Sequence, residues 1–173
     1  MAGSRAFEIL QLLAEVLGKE TAYKAAARFI QKKIKKFFDI DVAKVKFYTH
    51  DTAPEEVKSA AIKKYSTHPP AYVDPKTLSV VIDLDFYEKV SDIIDIIGHE
   101  LGHLLAFHYQ DKGVLDKKGL NYTAKYKLRG GTVIIHDPSG KDENLADMFS
   151  DFLSGKSLDA KQKRIMKQIG VQV

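Results

Sequence analysis

The fifteen residues IIDIIGHELGHLLAF, 93 to 107, constrain the fold more than any other stretch of the chain. The run is apolar enough to belong in a protein interior, yet Asp95, His99, Glu100 and His103 interrupt it. Burying carboxylates and imidazoles is costly unless something pairs with them. The pattern therefore predicts a helix whose leucines and isoleucines pack into the domain while His99, Glu100 and His103 face a cleft. His99 and His103 are four apart, so on a helix their imidazoles share one face, one turn from each other.

The chain has 173 residues and no cysteine. That length suits one domain with a core of its own. The missing cysteines exclude disulfides, thiolate metal sites and cysteine nucleophiles, and leave any metal to histidine and carboxylate. A net charge of +4 is too small to imply nucleic acid by itself. The N-terminal stretch MAGSRAFEILQLLAEVLGKE has charges inside its apolar part and reads as an amphipathic helix rather than a secretory signal. No run approaches the roughly 20 apolar residues of a membrane span. The expectation is a soluble, cytoplasmic protein with no membrane partner.

Periodicity predicts helices over 4–17, capped by Ser4 and stopped by Gly18, and over 21–38, capped by Thr21. In the second, Tyr23, Ala26, Ile30, Ile34 and Phe37 should share the buried face. Residues 45–50, VKFYTH, alternate as a strand. A helix capped by Asp51 or Thr52, with Pro54 in its first turn, should run to about Tyr65. Residues 77–86, TLSVVIDLDF, have the β-branched centre of a strand buried on both faces. Ser91 is placed to cap the HELGH helix, which should continue to about Tyr109. A hairpin is predicted over 121–128 and 132–136 with Gly130 and Gly131 in its turn. Helices follow over 142–154 and, capped by Ser157, over 158–169. The outline is α+β: a small sheet packed on the HELGH helix, with helices at both ends.

HELGH is an HExxH arrangement, in which two histidines ligate zinc and the glutamate is a general base that does not ligate. A catalytic zinc usually has three protein ligands and one position for water. His108 points well round the helix from the pair. The third ligand is left to His136 or to an acid in DENLADMFSDF, residues 142–152. Glu143 and Asp147 share a helical face there, and Leu145, Met148, Phe149 and Phe152 supply an apolar face for packing. Glu143 is the preferred ligand, with Asp142 and Asp151 as fallbacks. Asp147 would accept a hydrogen bond from a ligand histidine and fix its tautomer. An oxyanion formed during peptide hydrolysis needs a further stabiliser, for which His136 is the first candidate and Tyr122 and Tyr126 the next.

HELGH followed by ENLAD resembles the gluzincin pattern of HExxH with a downstream ExxxD helix. ENLADMFSDFL also resembles the ExxANxFA segment of ImmA/IrrE-type metallopeptidases, with Asp147 in place of the asparagine, and the small size resembles that of the minigluzincins. The resemblance covers roughly residues 78–153. It implies a zincin-like fold, His99, His103 and Glu143 as zinc ligands, Glu100 as base, and Asp147 behind the ligands. The expected organisation is a single domain over 1–173: an N-terminal helical extension (1–40), a catalytic core (41–155) and a C-terminal helix (156–173). The implied function is a zinc metalloendopeptidase acting on polypeptide, with water activated by Glu100. The alternative is a zinc-stabilised regulatory or nucleic-acid- or protein-binding module. The basic cluster QKKIKKFF, 31–38, bears on that alternative, although such a cluster more often forms a solvated helix face.

Overall fold

The structure is a computed structural model, and it describes residues 9, 12, 14–66, 69–87, 89–115 and 141–173. Ser4, His68 and the predicted hairpin with His136 lie outside the described residues. So do the side chains at 42, 64, 65, 90, 91 and 141–144.

The described chain is mixed α and β. Helix α1 spans Lys19–Phe37, strand β1 Lys46–Thr49, α2 Glu55–Tyr65, β2 Ala71–Asp74 and β3 Ser79–Ile82. Helices α3 (Val90–Asp111), α4 (Lys141–Ser154) and α5 (Ala160–Gln168) follow. The three strands form one sheet in the order β1-β3-β2, with β1 parallel and β2 antiparallel to β3.

Strand β3 is central and buried along its whole length. Its side chains alternate between two cores, as a period of two requires. Val80 and Ile82 join Ala71 and Val73 in the main core against α3, whereas Val81 joins Tyr72, Val57 and Ala61 under α2. Helices on both faces account for the β-branched sequence of β3. That strand is shorter than the predicted 77–86. Its N-terminal part is a turn back from β2, where Asp74 accepts hydrogen bonds from Lys76 N and Thr77 Oγ1 and Leu78 has φ +53°. Beyond Ile82 the chain turns again, with Asp83 Oδ1 accepting from Asp85 N. Strand β2 was not resolved by the alternation pattern, since Ala71, Tyr72 and Val73 are all buried.

Several helix starts differ from the sequence expectation. Thr21 lies inside α1, which begins after Gly18 at φ +87°, and its hydroxyl donates to the Leu17 carbonyl. Thr52 is tied to Thr49 in a turn, and α2 begins after Pro54. Helix α3 begins after Lys89, one residue before Ser91. Asp159 replaces Ser157 as the cap of α5: its carboxylate accepts from Lys161 N and Gln162 N, and Gln162 reaches back to Asp159 N in a capping box. Phe37 is partly exposed and Phe38 takes the expected core position, because α1 ends there and the chain becomes extended.

Helix α1 is part of the core rather than an appended arm. Tyr23, Ala26, Ile30 and Ile34 pack into the main cluster with Ile93, Ile97 and Leu101 of α3. Its end is tied to the end of α3 by Lys112–Asp39 at 2.6 Å, and the Lys112 ammonium holds the Asp39 carboxyl below the usual carboxylate range. Among the described residues, no helix is long and apolar enough to cross a membrane.

Candidate metal centre

Helix α3 lies directly against α4, and small residues set the separation. A Cβ on Gly102 would stand 2.3 Å from the Ala146 carbonyl oxygen, and one on Gly98 2.8 Å from Ser150 Oγ. Two glycines four residues apart cost a helix roughly 1 kcal/mol each against alanine. Their compensation is backbone-to-backbone approach of α4 beside His99 and His103.

That approach delivers Asp147 to His99. His99 Nδ1 and Asp147 Oδ1 are 2.5 Å apart. An ionised carboxylate can only accept, so Nδ1 carries the proton and the His99 Nε2 keeps its lone pair. His103 Nε2 lies 3.2 Å from His99 Nε2, with the two rings perpendicular. Two nitrogens bound at about 2.0–2.1 Å to one tetrahedral ion would be about 3.3–3.4 Å apart. Because His99 Nε2 keeps its lone pair, His103 Nε2–H donates to it, and this 3.2 Å separation is close to that of two ligands to a common ion. Both histidines are 7% exposed, and Glu100, between them in sequence, is 1% exposed.

Among the described residues, no group of three histidine, aspartate or glutamate side chains could hold a metal. Glu143 falls on α4, one turn before Asp147. Its side chain, and that of Asp142, lie outside the described residues, as do His136, Tyr122 and Tyr126. Asp151 is bridged to Lys156 at 3.0 Å, toward the far end of α4. His108 stacks edge-on against Tyr109.

One group near Glu100 was not anticipated from the sequence. Tyr87, on the turn before α3, is buried, and its hydroxyl has no hydrogen-bond partner among the described residues. Burial pushes its phenol up, and the Glu100 carboxylate is the next largest cause. Thirteen residues separate the two, and no helical or strand spacing links them.

No family model matches the chain, and no curated protein or solved structure is significantly similar to it.

Proposed function

We propose that this chain is a zinc metallopeptidase of gluzincin type with a zincin-like fold, hydrolysing peptide bonds in polypeptide substrates. The observation that carries the reading is the 3.2 Å approach of His99 Nε2 to His103 Nε2, with His99 oriented from behind by Asp147. The donor set fits a borderline divalent ion: two neutral imidazoles, with the Glu143 carboxylate as the expected third ligand. A zinc ion bound there supplies Lewis acidity toward a peptide carbonyl and makes water more acidic. Glu100 takes the proton of the attacking water and passes it to the leaving amine nitrogen. His136 is the proposed hydrogen-bond donor to the developing oxyanion.

The Glu100→Gln variant tests the reading. Wild-type protein should contain zinc by elemental analysis and cleave a mixture of internally quenched peptides. The variant should keep its zinc and lose turnover by about 10²-fold or more. Unchanged turnover removes Glu100 as the base. Zinc with no wild-type cleavage would favour the zinc-stabilised binding module instead. Replacing Glu143 by Ala should weaken zinc binding; equal affinity would move the third ligand to His136 or another acid.

A further inference from the structure

The proposed peptidase site uses α3 and α4 and leaves the outer face of α1 unexplained. Helix α1 carries seven lysines and arginines and one acid, Glu20, a net charge of +6 where the whole chain has +4. Two of the seven are drawn inward: Lys33 donates to the Leu153 carbonyl at 2.5 Å and Lys19 to the Tyr87 carbonyl at 2.8 Å. The other five, Lys24, Arg28, Lys32, Lys35 and Lys36, are exposed. At 100° per residue they occupy a sector of about 120°, and from Lys24 to Lys36 they form a row about 18 Å long.

This row does not help the helix to fold. Lys24–Arg28, Arg28–Lys32 and Lys32–Lys36 are like charges at i,i+4, which destabilise a helix. The C-terminal dipole favours Lys35 and Lys36 but does not reach Arg28 or Lys32. Among the described residues, the only ion pair on the helix is Lys24–Glu20 at 2.6 Å. A merely solvated face normally intersperses acids, and none follows Glu20 on α1.

We propose that the outer face of α1 binds the phosphate backbone of a nucleic acid. The row is linear and repeats about every 6 Å, one cation per helical turn, which suits a linear polyanion. An amphipathic helix that docks on a membrane inserts its apolar face; the apolar face of α1, with Tyr23, Ala26, Ile30 and Ile34, is consumed by the core. A protein partner would be expected to use apolar or aromatic anchors between the charges, and the row has none. Ile94 and Gly98 of α3 line a small cavity together with Phe29, Ile30 and Lys33 of α1, and His103 lies about 140° round α3 from Gly98. Nucleic acid on α1 therefore leaves the candidate metal centre open, and the inference stands apart from the peptidase reading.

The test is fluorescence anisotropy of the full chain with a labelled oligothymidylate of about 20 nucleotides. Wild-type binding should be saturable at low salt, with log affinity falling against log salt at a slope of about −3, as four or five phosphate contacts require. The triple variant Arg28→Gln, Lys32→Gln, Lys35→Gln should bind about tenfold or more weakly and reduce that slope by about 2. The triple Lys163→Gln, Arg164→Gln, Lys167→Gln removes the same charge from exposed positions of α5 and should bind nearly as wild type. Thermal melts and zinc content, read on both triples, separate misfolding from lost contacts. Absence of wild-type binding at low salt, or equal losses in the two triples, overturns the proposal. So does binding of phosphatidylserine vesicles, but not the oligonucleotide, that the α1 triple abolishes.

Discussion

Asp147 accepts from His99 Nδ1 at 2.5 Å, so a carboxylate on α4 decides which nitrogen of a histidine on α3 is left with a lone pair. The proposed ligand therefore depends on the packing of two helices, whose sequence positions are 48 residues apart. Removing this outer partner should cost 10- to 100-fold in metal affinity, roughly the range for such contacts. Asp147→Ala should show that loss in a competitive zinc titration. Asp147→Asn, whose amide oxygen still accepts, should lose less. Zinc affinity unchanged in Asp147→Ala would mean that His99 is oriented by something else.

The histidine pair was legible because its spacing is a property of a single helix. Asp147 was legible for the same reason, being four residues from Glu143 and set in an apolar pattern that had to face the core. The turn hydrogen bonds that shorten β3 were not legible. They depend on Asp74, Thr77 and a positive φ at Leu78, features that hydrophobic alternation does not encode. Caps failed at Thr21 and Ser91 because a hydroxyl near a helix start is only a candidate; which residue takes the cap depends on the path of the incoming chain. The two glycines of GHELGH, residues 98–103, also carried a signal, at a spacing that motif matching ignores. Gly98 and Gly102 are poor helix formers at i,i+4 spacing, and such a pair marks the side on which another helix comes close. Tyr87 carried none, because its proximity to Glu100 exists only in the fold.

Gly102 and Gly98 should respond differently to alanine. At Gly102 the added methyl meets backbone atoms of Ala146, the oxygen at 2.3 Å and Cα at 2.6 Å, so α4 must move. At Gly98 the near atom is Ser150 Oγ at 2.8 Å, the end of a rotatable side chain. Gly102→Ala should cost about 1–3 kcal/mol by overpacking and weaken zinc binding together with stability, because Asp147 rides on the displaced helix. Gly98→Ala should be milder on both measures. Denaturant melts and zinc titrations on the two variants make the comparison, and equal behaviour would argue against close α3–α4 packing.

Buried tyrosines should make stability fall at alkaline pH. Burial raises Tyr23, Tyr72 and Tyr87, and it pushes Tyr72 up to about 12, assisted by the charges of Asp74 and Glu55. An unfolded tyrosine ionises near pH 10. Above that pH the unfolded chain binds fewer protons than the native one, so stability falls as pH rises, until the native phenols also ionise. These contributions are fully present below pH 10. Tyr72 is the cleanest probe, because its hydroxyl is buried with no hydrogen-bond partner among the described residues. Tyr72→Phe keeps the ring under α2 and removes a hydroxyl that bonds to none of the described residues, so the change should be nearly neutral or stabilising at pH 7. Between pH 10 and 12 the variant should lose less stability than wild type in thermal melts followed by circular dichroism. A clear loss at pH 7 would show that the hydroxyl has a partner, and parallel alkaline profiles would show that Tyr72 ionises near its ordinary value.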